Sequence, residues 1–102
     1  MYTLLAVILV AIIVFISRVR FYYSHKETTE YYPNNKIKIK QEYILFNKKK
    51  TLHGKTTKYY ENGNIKEELE YKNGMLNGIQ KYYDENGTFI KQEVYDSGTL
   101  LG

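Results

Sequence analysis

The second half of the chain repeats itself with a period of 24 residues, and this repeat constrains the fold more than any other feature. The motif Leu52-His53-Gly54 returns at residues 76–78, and its glycine returns again at Gly102. Further glycines recur at the same interval, Gly63 with Gly87 and Gly74 with Gly98. A fixed period of about 20–50 residues is typical of repeat proteins, whose units bury an apolar surface only by stacking on their neighbours.

Each unit has the pattern of a β-hairpin. Ile65, Leu69 and Tyr71 share one parity along the chain, and the residues of the opposite parity are charged. Such alternation predicts a half-buried strand. Asn62-Gly63 and Asn73-Gly74 predict tight turns in which both central residues adopt positive φ. The predicted turn glycines are Gly54, Gly63, Gly74, Gly78, Gly87 and Gly98.

The second unit is not an identical copy of the first. The pair Tyr59-Tyr60 returns as Tyr82-Tyr83, which predicts a turn one residue longer and an entering strand one residue shorter. Ile90 and Val94 also occupy a parity that holds charged residues in the first unit. A β-bulge near Gly87 would reconcile the two faces.

The N-terminal segment is strongly apolar. Residues 1–17 contain no charged side chain, and Leu4–Ile16 is unbroken hydrocarbon. A helix that spans a membrane needs about 20 such residues, with a range of about 17–25. A cleaved signal peptide is the alternative, but it usually has basic residues before the apolar core and small residues at its end. We therefore predict a single-pass membrane protein with an anchor helix over residues 1–21.

Basic residues follow this segment and continue to a triple lysine. By the positive-inside rule they favour a cytoplasmic repeat domain, with an extracytoplasmic location as the alternative. The triple lysine fits a solvated hairpin loop that discourages edge-to-edge pairing. It also fits contact with anionic headgroups, at roughly 1 kcal/mol for each basic residue. The candidate headgroup contacts are Arg18, Arg20, Lys48, Lys49 and Lys50.

These observations divide the chain into six parts. The alternation of Ile37 and Ile39 with lysines, after a Tyr-Tyr pair and a turn, predicts a degenerate repeat before the two clear ones. The predicted parts are an anchor helix (1–21), a juxtamembrane connector (22–30), a degenerate repeat (31–51), two full repeats (52–75 and 76–99) and the start of a further unit (100–102).

The string Leu52–Gly78, with Tyr59-Tyr60-Glu61-Asn62-Gly63 at its centre, resembles a MORN-type repeat (membrane occupation and recognition nexus). It is most similar to the bacterial variant with a Tyr-Tyr-x-x-Gly core. The resemblance, which does not extend to the hydrophobic N-terminus, implies a single-layer antiparallel sheet of successive hairpins. For the whole chain we predict a mainly β fold, in which an N-terminal hydrophobic helix precedes this sheet. Proteins similar to this are often described as antitoxin components of toxin–antitoxin systems.

The sequence offers no catalytic constellation. His25 and His53 have no carboxylate at the spacing of a catalytic triad or a metal site. Glu67, Glu68 and Glu70 are best interpreted as the charged side of a strand rather than as an acid/base pair. The glycines are predicted at hairpin turns, so they do not form a phosphate-binding loop. The net charge of +4 comes from the middle of the chain, so it does not predict nucleic-acid binding. We expect no enzyme activity, no cofactor, no metal and no small-molecule substrate.

The 12 tyrosines are the remaining candidates for function. Adjacent tyrosines point to opposite sides of a strand. One of each pair can therefore pack across strands while the other contacts a partner. We predict a non-enzymatic protein-recognition module, with an antitoxin-like role or binding to an anionic lipid surface as alternatives. The candidate binding face comprises Tyr59, Tyr60, Tyr71, Tyr82, Tyr83 and Tyr95.

Overall fold

The computed structural model describes residues 5–13 and 24–102. Residues 5–13 form a helix, α1. The strands are β1 (Ser24–Tyr31), β2 (Ile37–Phe46), β3 (Lys49–Tyr59), β4 (Ile65–Lys72), β5 (Met75–Leu76), β6 (Gly78–Tyr83), β7 (Phe89–Asp96) and β8 (Thr99–Leu100). They form an antiparallel sheet in the order β1-β2-β3-β4-β6-β7-β8, with β5 beside β4. The predicted mainly β fold of successive antiparallel hairpins is confirmed.

The predicted single-pass membrane location is wrong. Within residues 5–13 and 24–102, no helix combines the length and the apolar character that crossing a bilayer requires. A membrane-spanning helix needs about 20 apolar residues. The rest of the predicted anchor, together with Arg18 and Arg20, lies outside the described residues.

A strand occupies most of the region that the sequence predicted to be a connector. Strand β1 pairs with β2 from Ser24, opposite Leu45, to Tyr31, opposite Ile37. Most residues of β1 are exposed. Because an outer strand of a single-layer sheet meets solvent on both sides, it lacks the apolar alternation by which strands are predicted.

The two full repeats follow the 24-residue period in their turns as well. The N–H of Tyr60 donates to the carbonyl oxygen of Asn64 at 2.8 Å, and the N–H of Asp84 donates to that of Thr88 at 2.9 Å. Asp84 therefore takes the place of Tyr60, and no residue is inserted. The predicted longer turn and shorter strand are not observed, because the pair Tyr82-Tyr83 is displaced by one position within an unchanged backbone.

The bulges in the hairpins recur at equivalent positions. The register between paired strands shifts between Lys58 and Tyr59 in one hairpin and between Tyr82 and Tyr83 in the next. In the second hairpin Tyr82 pairs with Lys91 and Tyr83 with Phe89, so the extra residue is Ile90, three residues after Gly87. The bulge therefore lies near Gly87, as the sequence predicted, but an equivalent bulge at Lys66 shows that it does not distinguish the second repeat from the first.

The sheet contains two kinds of turn. Asn73 and Gly74 have φ angles of 51° and 84°, as a two-residue type I′ turn requires. In the pair Asn62-Gly63 only the glycine has positive φ, at 96°. There the N–H of Gly63 donates to the carbonyl oxygen of Tyr60 at 2.9 Å, which closes a type I turn followed by a left-handed glycine. Positive φ at both central residues was thus wrongly predicted for Asn62-Gly63.

Gly54 and Gly78, which the sequence predicted to lie at turns, belong to strands β3 and β6. Their φ angles are +104° and +102°. A Cβ atom on Gly54 would overlap the carboxylate of Glu42, and one on Gly78 would overlap that of Glu70. The Glu42 carboxylate accepts a hydrogen bond from the N–H of Lys55 at 2.6 Å. Each glycine therefore makes room for a carboxylate from the neighbouring strand.

The register assigns the side chains to two faces, because residues opposite each other in paired strands point to the same side. We call the side that carries Leu69 face A and the other side face B. The buried residues among those that the structure describes are Leu69, Thr56 and Gln80, exposed by 6%, 1% and 0%. Thr56 lies opposite Leu69, and the register from β4 through β6 puts Gln80 on the same side. The small core therefore lies on face A.

Candidate functional site

A row of tyrosines and leucines crosses face A. Each pair combines a tyrosine with the leucine opposite it on the next strand: Tyr43 with Leu52, Tyr71 with Leu76, and Tyr95 with Leu100. We call these six residues the Tyr–Leu stripe. Five of them are half-buried, and Leu100 is 53% exposed. Within residues 24–102 no second layer covers the stripe.

Charged side chains fix the tyrosines at the β6–β7 end of face A. The Lys91 Nζ lies 5.1 Å from the ring centroid of Tyr82 and 3.0 Å from Glu93 Oε1. The hydroxyl of Tyr95 donates to Glu93 Oε2 at 3.3 Å. These contacts link two tyrosines through a cation and a carboxylate, so the aromatic surface is bordered by both signs of charge.

The same surroundings shift the ionisation of these groups. Burial raises the pKa of Tyr82 and Tyr95 above 10.0, and the negative charge of Glu93 raises both further. The hydrogen bond to Glu93, together with its charge, raises the pKa of Lys91. At the turn between β3 and β4, burial and the carboxylates of Glu85 and Asp84 raise the pKa of Tyr60.

We expect the free energy of unfolding to fall as the pH rises above 10.0. The pKa values of Tyr82 and Tyr95 are raised in the folded protein, so their stabilising contribution is complete below the unfolded pKa of 10.0. It is lost as the pH rises through the folded pKa, and the raised pKa of Lys91 acts in the same direction. Urea unfolding across this range, with tyrosinate absorbance recorded in parallel, measures the effect. An unchanged urea midpoint would contradict it.

The structure separates the predicted binding residues. Tyr71, Tyr82 and Tyr95 share face A. Tyr59 and Tyr83 follow face A residues directly in their strands and therefore point to face B. The ring of Tyr83 meets that of Phe89 edge-to-face there, at 5.9 Å between centroids.

Tyr43 belongs to the stripe and was not among the predicted binding residues. The sequence did contain a signal for it, because Tyr43 follows Asn35 at the spacing by which Tyr71 follows Gly63. The longer segment between Tyr43 and the next repeat obscured this equivalence.

Tyr60 has a structural partner of its own. Its hydroxyl donates to the carbonyl oxygen of Tyr83 at 2.8 Å, as the hydroxyl of Tyr32 donates to that of Tyr59 at 2.7 Å. The turn asparagines repeat this pattern, Asn34 donating to the carbonyl oxygen of Glu61 at 3.0 Å and Asn62 to that of Glu85 at 2.7 Å. Lys36 also donates to the carbonyl oxygen of Asn62 at 3.2 Å, and Asn64 to that of Glu85 at 2.8 Å. Each of these two turns is therefore bonded to the next one by three side chains.

We expect Tyr32→Phe to lower the free energy of unfolding by about 1 kcal/mol, since it removes one partly buried hydrogen bond. Tyr31→Phe is the matched control, because Tyr31 is 61% exposed. Urea unfolding monitored by circular dichroism compares the two variants. Equal losses in both would show that the hydroxyl of Tyr32 contributes nothing specific.

The triple lysine lies where β2 turns into β3. Asn47 and Lys48 form the two-residue turn, with φ angles of 48° and 65°, and Lys49 is exposed beside it. The Nζ of Lys50 lies 4.6 Å from the ring centroid of Tyr43. Lys50 therefore borders the Tyr–Leu stripe, while Lys48 and Lys49 face solvent at the tip of the hairpin.

The histidines occupy unrelated places. The Nδ1 of His53 accepts a hydrogen bond from the N–H of Asn73 at 3.2 Å and so supports a turn. His25 is exposed on strand β1. In the part of the chain that the structure describes, no three residues among His, Cys, Asp and Glu form a group that could hold a metal ion.

Comparison with protein families accounts for the repeats. The model of the MORN repeat variant matches residues 24–44, 52–73 and 76–97, which together exceed half of the chain. The first match begins at β1. No curated protein and no solved structure is significantly similar to this chain. MORN repeats generally serve as protein- or membrane-interaction modules, and theirs is not an enzyme family. The chain belongs to the family of MORN repeat variants.

Proposed function

We propose that this chain is a non-enzymatic recognition module that binds a partner protein through the Tyr–Leu stripe on face A. One observation carries the proposal. Every repeat places a tyrosine opposite a leucine at equivalent register positions and on the same side of the sheet. A single-layer sheet leaves this row partly open, which suits a partner that covers several repeats at once.

The chemistry of the stripe fits a protein surface. Tyrosine provides a large apolar area with a polar tip, and it is enriched where proteins meet. The leucines add apolar area, and Lys50, Lys91 and Glu93 border the row with charges of both signs. The expected partner presents apolar side chains framed by complementary charges. Neutralisation of a toxin, which the family resemblance implies, is one form of this recognition.

Photo-crosslinking tests the proposal. A benzophenone side chain replaces Leu100, an exposed residue of the stripe, in the full chain produced in its own cells. Lys66, exposed on face B, is the control position. We expect a specific protein adduct from the Leu100 position only. Equal crosslinking from both positions, or none from either, would overturn the proposal.

Affinity measurements with the crosslinked partner then test the contacts. We expect Leu100→Lys and Lys91→Glu each to weaken binding at least about tenfold, a loss of about 1.4 kcal/mol or more. Lys48→Glu is the control for net charge at an exposed turn. If Lys48→Glu abolishes binding to vesicles with anionic lipid while no protein partner is found, lipid binding replaces the present proposal.

A further inference from the structure

Face B of the β6–β7 hairpin exposes apolar side chains where the preceding repeat has charges. The 24-residue period aligns Ile79 with Lys55, Ile90 with Lys66, and Val94 with Glu70. Ile79 and Ile90 are 45% and 58% exposed. Three positions that are charged in the preceding repeat are thus apolar on face B of this hairpin. The preceding repeat forms the same hairpin with charged residues, so folding of the sheet does not require apolar side chains there.

The apolar side chains form two neighbouring groups that we call the hairpin patch. Ile79 lies opposite Val94, and Tyr83 lies opposite Phe89, which is 50% exposed. Ile90 joins the second group. From the first group to the second the patch runs four residues along β6, or about 14 Å.

A polar row separates the two groups. Lys81 lies between them on β6, half-buried and opposite Glu68 of the neighbouring strand. A lysine can direct its amine toward a carboxylate at the side while its methylene stem adds to an apolar surface. A shallow cavity of about 190 Å³ on this side is lined by Lys55, Glu68, Glu70 and Lys81 among others, and it marks the charged border of the patch.

Helix α1 has the complementary properties. All of residues 5–13 are apolar and exposed, with 59% of Leu5 and 65% of Val7 accessible to solvent. At 1.5 Å per residue, residues 5–13 extend about 13 Å, enough to lie along the hairpin patch. It carries no polar side chain that could pair with the tyrosine hydroxyls or the Lys91–Glu93 pair on face A.

The chain is long enough to bring the two surfaces together. Ten residues lie between residue 13 and Ser24 in the sequence, and ten residues of any polypeptide reach at most about 35 Å. Five strand spacings separate β1 from β7 in the sheet, which amounts to about 24 Å. A helix can therefore reach the β6–β7 hairpin of its own molecule.

We propose that helix α1 packs on the hairpin patch of the same chain, as a second layer on face B. The contact buries exposed apolar area of both surfaces, and removal of that area from water favours the packing. It does not rest on the Tyr–Leu stripe, which lies on the opposite face and stays open. The helix is then a structural part of the repeat domain. It covers the hairpin patch on face B and leaves face A available to a partner.

A spin label on the helix tests this contact. The chain has no cysteine, so Ala11→Cys carries a nitroxide at a single site of the full chain. We expect the label to broaden the NMR signals of β6 and β7 side chains on face B, above all Ile79 and Ile90. Broadening confined to face A, or absent from the whole sheet, would overturn the proposal.

Variants and mixing complete the test. Ile79→Lys and Ile90→Lys copy the residues of the preceding repeat and should abolish the broadening while the sheet spectrum persists. Leu100→Lys, a similarly exposed site on face A, should leave it unchanged. In an equimolar mixture of labelled chains with isotope-enriched unlabelled ones, the enriched signals should stay sharp. Broadening of those signals would assign the contact to a second copy and contradict packing within one chain.

Discussion

Gln80→Leu is expected to lower the free energy of unfolding by about 3 kcal/mol, because the buried amide of Gln80 takes the place of a backbone peptide. Its Oε1 accepts a hydrogen bond from the N–H of Glu70 at 2.6 Å. Its Nε2 donates to the carbonyl oxygens of Glu70 and Gly78, both at 3.3 Å. Leucine keeps the apolar volume and removes all three bonds. The N–H of Glu70 then loses its acceptor inside the sheet.

The equivalent position in the preceding repeat provides the control. Thr56 is also buried, but its Oγ1 has no hydrogen-bond partner within the described residues. Thr56→Val has nearly the same shape and removes an unpaired hydroxyl, so we expect no loss of stability and a gain of up to about 1 kcal/mol. Urea unfolding of the full chain measures both variants. Similar losses for the two would rule out the bridging role of Gln80.

The second large effect is expected from Gly54→Ala, again a loss of about 3 kcal/mol. Part of it comes from the φ of +104°, a conformation that costs a residue with a Cβ about 1–2 kcal/mol. The remainder comes from the Cβ itself, which would overlap the Glu42 carboxylate and displace it from the N–H of Lys55. The substitution therefore acts on the backbone and on a contact between strands.

Gly63→Ala separates these two contributions. Gly63 has a similar φ of +96°, but the nearest heavy atom to an added Cβ is the Cδ of Lys36 at 3.9 Å. Only the conformational part, about 1 kcal/mol, is expected there. Combining Gly54→Ala with Glu42→Ala should recover at least about 1 kcal/mol relative to additivity, since the colliding group is gone. Equal losses at Gly54 and Gly63 would exclude the collision.

The hairpins could be predicted from the sequence because alternation and glycine spacing report local geometry directly. The structural role of each glycine could not be predicted in the same way. Positive φ occurs in turns and in bulges alike. Gly54 and Gly78 therefore look like turn residues until the pairing of β3 with β2 and of β6 with β4 is known. The partner that needs the missing Cβ, a glutamate on the next strand, is distant in sequence.

The tyrosines show a different limit. Side-chain similarity aligns Tyr59-Tyr60 with Tyr82-Tyr83, whereas the hydrogen bonds of the turns align Tyr60 with Asp84. The shift by one residue decides which tyrosine faces which side. Tyr71 and Tyr95 could be assigned to one face from the sequence because each precedes a turn at constant spacing. The placement of Tyr82 beside them needed the register of β6.

The side chains at the hairpin turns also determine how neighbouring turns cooperate. In a stack of repeats, stability is a sum of the units and of the couplings between nearest neighbours. Tyr32 and Tyr60 each send a hydroxyl to the following unit. The carboxylate of Asp84 instead accepts from its own turn, from the N–H groups of Asn86 and Thr88 at 2.9 Å each. An aspartate side chain has no hydroxyl that could donate a hydrogen bond to a neighbouring turn. Hydrogen-exchange protection should be shared across the turns at residues 32–36, 60–64 and 84–88, because the hydroxyls of Tyr32 and Tyr60 join them into one cooperative block.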